Sequence, residues 1–134
     1  MPGELLYLDS SALVKLVVAE AETGALLQVL AAWPHRVTSA LAICEVLRAT
    51  RRSTNDRTAL ERAGQVVDGV HCLPIEAYLL QRAGLMEPIA LRSLDAIHLA
   101  SALSLGADLG AAVIYDVRLA DAARANGLEV LMPA

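Results

Sequence analysis

The chain has 134 residues, of which 56 % are hydrophobic and 19 % charged, with a mean hydropathy of +0.49; this excludes a disordered chain and fits one domain, spanning 1–134, around a single core. Lys and Arg number 11 against 15 Asp and Glu, and the resulting net charge of −4 argues against non-specific coating of nucleic acid. No apolar run reaches the roughly 18 residues of a membrane span, and the opening Met-Pro-Gly-Glu lacks the basic and apolar regions of a signal peptide, so a cytoplasmic, membrane-free protein is expected.

Leu5–Leu8 reads as a short strand ended by Asp9-Ser10-Ser11, after which Ala12, Leu13, Leu16 and Val17 continue at helical spacing. A second helix is expected from Glu22 to Trp33, closed by Pro34. A strand at Arg36–Thr38 then leads to Ser39, expected to cap a helix over Ala40–Arg52. Thr54–Val67 has helical spacing, Val70–Leu73 is strand-like, and a further helix follows Pro74. Beyond the Glu87-Pro88 loop, Ser93 is expected to cap a helix over Leu94–Leu105 that Gly106 ends. Ala111–Tyr115 reads as a strand ending at Asp116, followed by a helix over Arg118–Asn126 and a last strand over Leu128–Leu131. Strands alternating with helices predict an α/β sandwich with a mainly parallel sheet, whose ligands gather at the carboxyl ends of the strands.

Aromatic residues make up only 3 % and Phe is absent, so Leu, Val, Ile and Ala must fill the core; the apolar surplus also points to a surface covered by a partner. Cys44 and Cys72 stand in apolar surroundings without metal or disulfide spacing and read as buried thiols.

Phosphate-cradling glycine motifs, a nucleophile elbow and an H-E-x-x-H pair are all missing, which sets aside nucleotide-cofactor, serine-triad and zincin chemistry. What stands out is carboxylates among apolar neighbours. Asp9 and Asp116 end two strand candidates and so face the same edge of a parallel sheet. Glu45 sits between Ala40–Cys44 and Val46-Leu47, and Asp95 between Leu94 and Ala96-Ile97. An ionised carboxylate in such surroundings costs several kcal/mol, of order 3, unless paired or metal-bound. A hard divalent cation, Mg²⁺ or Mn²⁺, gives the four a common purpose, and two such ions about 4 Å apart suit phosphodiester hydrolysis.

Four segments carry a family resemblance: Tyr7-Leu8-Asp9-Ser10-Ser11-Ala12-Leu13-Val14-Lys15, Glu45 with Arg48 in an apolar helix, Ser93-Leu94-Asp95-Ala96-Ile97-His98-Leu99-Ala100, and Tyr115-Asp116-Val117-Arg118-Leu119. In order and spacing the chain resembles the PIN-domain ribonucleases, and among them the VapC-type toxins of type II toxin–antitoxin modules. The resemblance implies a three-layer α/β/α sandwich, Mg²⁺- or Mn²⁺-dependent endoribonuclease activity, a homodimer and a cognate antitoxin. By position it makes Asp9 and Asp95 the principal metal ligands, Glu45 a ligand or water-orienting base, and Asp116 the fourth acidic corner. The chain departs from the family at Ile114, where a Thr or Ser commonly stands two residues before the last Asp.

Each residue also has a plainer use. Asp9 and Asp116 can begin helices, Glu45 can pair with Arg48, and Asp95 can favour a helix N-terminus. Arg48 and Arg52 follow Glu45 on one helical face and are candidates for RNA phosphates, against an ordinary solvated face or an antitoxin contact. His98, one turn after Asp95, reads as a satisfied core histidine or as one that supports a ligand from behind, rather than as a ligand itself. The leading expectation is the metal-dependent endoribonuclease toxin. The alternatives are a PIN-type nuclease of RNA processing without an antitoxin, and a catalytically silent module whose carboxylates pair only with arginines.

Overall fold

The computed structural model describes residues 2–134. Five strands, β1 (Leu5–Leu8), β2 (His35–Ser39), β3 (His71–Leu73), β4 (Leu109–Val113) and β5 (Val130–Leu131), form one sheet in the order β3-β2-β1-β4-β5, and every pairing is parallel. The helices are α1 (Ser10–Val17), α2 (Thr23–Ala31), α3 (Leu41–Ser53), α4 (Arg57–Asp68), α5 (Ala77–Gly84), α6 (Ser93–Leu103) and α7 (Val117–Ala125). None of them is long and apolar enough to cross a membrane.

Alternation along the central strands explains the layers, because successive side chains of a strand point to opposite faces. Leu6, Leu8, Ala111 and Val113 pack with Leu13, Leu26, Val46 and Ala63 of α1–α4 on one face. Tyr7, Ala112 and Ile114 pack with Leu99, Leu119 and Ala123 of α6 and α7 on the other. Helix α5 lies against α6 through Leu79, Ala83, Ala96 and Ala100. The result is the α/β/α sandwich the resemblance implies.

Strand order reverses at β1: the chain first builds outward through β2 and β3, then returns to add β4 and β5 on the other side. The carboxyl ends of β1 and β4 therefore flank the crevice where open parallel sheets bind ligands. The β1–β4 register shifts between Leu5 and Leu6, which pair with Leu109 and Ala111 and leave Gly110 between them. Trp33, just beyond α2, lies over that glycine.

Several boundaries differ from expectation. Strand β4 runs Leu109–Val113, so Asp116 does not end it; Ile114 turns into the apolar layer and Asp116 caps α7 three residues after the strand. Ser93 is the first helical residue of α6 rather than its cap, because Arg92 is the extended residue before the helix and gives no side-chain cap. Helix α6 stops at Leu103, and Gly106, at φ +57°, opens a short 3₁₀ turn over Gly106–Asp108. Ser39 closes β2, yet its Oγ accepts from the Leu41 N–H at 3.1 Å, so it serves the first turn of α3 as expected. Cys44 is exposed and Cys72 half-buried, so neither is the fully buried thiol the apolar context suggests; Cys44 lies on the outward side of α3.

Candidate active site

Asp9 follows β1 directly and is 3 % exposed. Its Oδ1 accepts from the Ala12 N–H at 3.0 Å, capping α1, and the Ser11 hydroxyl donates to Oδ1 at 2.7 Å, with Oδ2 at 2.9 Å. Ser11 Oγ in turn accepts from the Tyr115 N–H at 3.1 Å, tying the β1 and β4 ends together. Burial pushes the Asp9 carboxyl up to about 6; the Ser11 and Ala12 bonds and His98 oppose this, and Asp116 adds to it.

Asp116 Oδ1 accepts from the Leu119 N–H at 3.0 Å and caps α7. Asp95 stands in the first turn of α6, where the helix dipole favours its charge, and its Oδ2 lies 3.6 Å from Arg92 Nε. Partial burial followed by the Asp116 charge holds the Asp95 carboxyl above its usual range, against Arg92 and His98 and with a smaller contribution from Glu45.

Glu45 projects from α3 and does not use Arg48 as its partner. Its Oε1 accepts from Ser10 Oγ at 2.5 Å and lies 2.6 Å from His98 Nε2. Burial raises the carboxyl, but the His98 and Ser10 bonds outweigh it and hold it below the usual range. His98 is buried, and its Nδ1 is 2.7 Å from the Tyr7 hydroxyl, so the expectation of a satisfied core histidine describes its bonding.

The fold thus brings Asp9, Glu45, Asp95 and Asp116 into one electrostatic neighbourhood at the β1 and β4 ends: Asp9 feels Asp116, and Asp95 feels Asp116 and Glu45. Among the described residues no three Asp, Glu, His or Cys side chains converge closely enough to enclose an ion by themselves. The donors are nevertheless all carboxylate oxygens, which suits a hard cation that keeps several waters and takes one or two protein carboxylates plus a substrate phosphate.

Arg48, Arg51 and Arg52 line a cleft of about 370 Å³ at the end of α3 with Asn55 and Leu60 of the following segment. A second groove, about 600 Å³, runs past Asp95 between Pro88, Leu91, Arg92, Arg118 and Ala122. Lys15, part of the first quoted segment, is engaged elsewhere, 2.5 Å from Glu20 and 3.1 Å from Glu22, and lies over the Tyr115 ring. Asp121 pairs with Arg124 on the surface. Ser10, Ser11 and Tyr7 are the site residues to which the sequence assigned no role. The hydroxyl pair directly after Asp9 was the visible signal for the two serines, whereas nothing local marks Tyr7.

A five-stranded parallel sheet between two helical layers, with carboxylates near its switch point, places the chain among the open α/β sandwiches. The PIN domain model matches residues 6–125, and the chain belongs to the PIN domain family. It is 45 % identical over 130 residues to Ribonuclease VapC46 of Mycobacterium tuberculosis, covering 96 % of this chain and 98 % of that one. Ribonuclease VapC47 of the same species is 37 % identical over 133 residues, covering 96 % and 97 %. The fold superposes on the Mycobacterium tuberculosis Sarcin-Ricin loop cleaving toxin VapC20 with a TM-score of 0.75 at 20 % identity, covering 96 % of this chain and 99 % of that one. A toxin–antitoxin complex from Klebsiella pneumoniae gives 0.71 at 21 %, covering 96 % and 98 %.

Proposed function

We propose that this chain is a Mg²⁺- or Mn²⁺-dependent endoribonuclease, the toxin of a type II toxin–antitoxin pair, with Asp9, Glu45, Asp95 and Asp116 as its catalytic and metal-holding residues. The observation that carries the reading is the gathering of these four carboxylates at the carboxyl edge of the sheet, where Asp9 and Asp95 are both held above their ordinary pKa by burial and by Asp116. Mutual repulsion of this kind is relieved by a bound cation. RNA as substrate is supported by relatives named ribonucleases at 45 % and 37 % identity.

A divalent ion bound here would activate water and stabilise the leaving oxygen of a phosphodiester. Asp9 and Asp95 are its principal holders and Asp116 the fourth corner. Glu45, with Oε1 engaged by Ser10 and His98, offers its other oxygen to orient the attacking water. Arg48 and Arg52 hold RNA phosphates along α3, and the groove beside Asp95 gives the strand room on the other side. Ile114, placed where the family commonly carries a hydroxyl, is buried among apolar side chains and brings no hydroxyl to the Asp116 corner, the one feature that speaks for the silent module.

The same reading assigns a cognate antitoxin, a homodimer and a cytoplasmic location. Apolar side chains left in solvent support a covered surface: Leu85 and Ile89 are 84 % and 92 % exposed, and Ile89 shares a groove with Leu80 between α5 and α6. A monomer mass by light scattering at micromolar concentration would count against the dimer.

The deciding experiment is thermal unfolding of wild type and Asp95→Asn with and without millimolar Mn²⁺, followed by RNA cleavage with the same proteins. A ligand bound only by the native state raises Tm by mass action. A Tm gain in wild type that is absent in Asp95→Asn, together with cleavage lost in the variant, is expected. An unchanged wild-type Tm with no cleavage would instead make the chain a silent binding module.

A further inference from the structure

Helices α3 and α6 pack on opposite faces of the sheet, yet one polar bridge joins them over its carboxyl edge. His98 of α6 is 3 % exposed and bonds on both sides of its ring, Nε2 to Glu45 Oε1 of α3 at 2.6 Å and Nδ1 to the Tyr7 hydroxyl of β1 at 2.7 Å. An imidazole carrying its hydrogen on Nε2 satisfies both bonds at once, with Tyr7 donating to Nδ1. The Tyr7 and His98 rings meet edge to face, with centroids 5.9 Å apart and planes at 78°, so the imidazole is held by packing as well as by hydrogen bonds.

The geometry at Glu45 is asymmetric. Ser10 and His98 both converge on Oε1, and among the described residues Oε2 has no hydrogen bond. A glutamate on a helix surface ordinarily keeps much rotamer freedom. Here that freedom is removed by anchoring one oxygen, and the anchor belongs to the helix that carries Asp95 three residues earlier. The Glu45 carboxylate is therefore tied to the layer that carries Asp95 by a bond across the sheet edge, rather than left free on α3.

We infer that His98, backed by Tyr7, is a positioning residue that fixes Glu45 so that Oε2 alone faces a divalent cation or the attacking water. The inference rests on the metal-nuclease reading above and deepens it. Groups that orient a metal ligand typically change metal affinity ten- to 100-fold when removed.

The test is calorimetric titration with Mn²⁺ of wild type, Glu45→Gln, His98→Leu, His98→Gln and Tyr7→Phe, at a temperature where each is folded by circular dichroism. His98→Leu fills the buried space without a donor, whereas the Gln amide returns an N–H near the position of Nε2. The expected result is Mn²⁺ binding by wild type, weakening of about tenfold or more in His98→Leu, recovery to within about threefold in His98→Gln, and a smaller loss in Tyr7→Phe, which keeps the ring and removes only the bond behind His98. Wild-type affinity in His98→Leu while Glu45→Gln is weakened overturns the positioning role and leaves the metal site standing. Equal weakening in the Leu and Gln variants overturns it too, since ring fit would then set the affinity. A flat titration for wild type has a different signature, since every protein in the series is then silent; it removes the metal reading and this inference with it.

Discussion

Asp9 and Asp116 leave neighbouring parallel strands and perform the same local task, each accepting the third amide beyond it at 3.0 Å through Oδ1 to begin a helix. Capping and ion binding are therefore compatible uses of the same residues, because a cap engages one face of a carboxylate and fixes where the rest of it points. The arrangement has a cost at Asp9, whose ionised form is disfavoured chiefly by burial and further by the Asp116 charge. The cation-free fold carries this cost at neutral pH.

That cost gives a pH dependence of definite sign. The Asp9 carboxyl stands at about 6 in the folded chain against 3.8 for an unperturbed group, so between these values the folded state binds more protons than the unfolded state. Stability from this group falls as pH rises through that window and is flat above it, a difference of about 3 kcal/mol at neutral pH. Asp9→Asn keeps an oxygen for the Ala12 N–H and removes the charge. In urea unfolding with EDTA the variant is expected to gain about 1–3 kcal/mol over wild type at pH 8 and little at pH 4, while Mn²⁺ stabilisation and cleavage are lost. Equal stability of the two proteins at both pH values would contradict the burial account.

Much of this site is legible in the sequence, for local reasons. Leu5–Leu8 followed by Asp9 announces a carboxylate at a strand end, and Asp116 is legible as the start of the helix after β4 though not as the strand's last residue, because a strand-to-helix turn needs a cap. Glu45 and Asp95 stand out because their neighbours are apolar. What the sequence hides is pairing at a distance: Glu45 has Arg48 one turn away, but its partner is His98, 53 residues on, and Tyr7 reaches the same ring across 91 residues. The start of β4 is hidden for a related reason. Gly110 offers no side chain to mark a strand, and it stands inside β4 because the Trp33 ring and the Gly3 carbonyl occupy the space a side chain would need.

Gly110 accordingly gives a stability prediction remote from the site. A Cβ there would lie 2.3 Å from the Gly3 carbonyl oxygen and 2.5 Å from Trp33 Cη2, contacts that require backbone movement. Gly110→Ala is expected to lose about 1–3 kcal/mol in urea unfolding, with cleavage per folded molecule unchanged. Adding Trp33→Ala should not restore stability, because the Gly3 carbonyl remains in the way and a packed ring is lost.

Arg48 and Arg52 line the cleft at the end of α3, and the predicted role is contact with phosphates rather than with the fold. Each phosphate contact on a single strand contributes about 0.7 to the slope of log affinity against log salt. Anisotropy of a labelled RNA in EDTA should show that slope reduced by roughly 0.7 in each single alanine variant and by roughly 1.4 in the double variant. Unfolding free energies should stay within about 0.5 kcal/mol of wild type. An unchanged salt slope with unchanged affinity would return these arginines to the solvated surface.

Thr38 tests how far the polar path beneath Glu45 extends into the core. Its Oγ1 is buried and makes no hydrogen bond of proper geometry, although the hydroxyl lies close enough to Tyr7 to favour that phenol's ionised form slightly. Burial and the Asp9 charge dominate Tyr7 and hold its pKa well above the usual value, so the phenol remains a donor to His98. A buried hydroxyl without a partner loses the hydration it had in the unfolded chain, and replacing it with a methyl of the same shape removes that loss. Thr38→Val is therefore expected to gain about 1 kcal/mol in urea unfolding, whereas Thr38→Ser, which keeps the hydroxyl and opens a methyl-sized void, should lose about 1 kcal/mol. If Thr38→Val instead loses stability and weakens Mn²⁺ binding in the manner of Tyr7→Phe, the hydroxyl donates to Tyr7 in solution, and the connection to Glu45 begins one residue deeper, in β2.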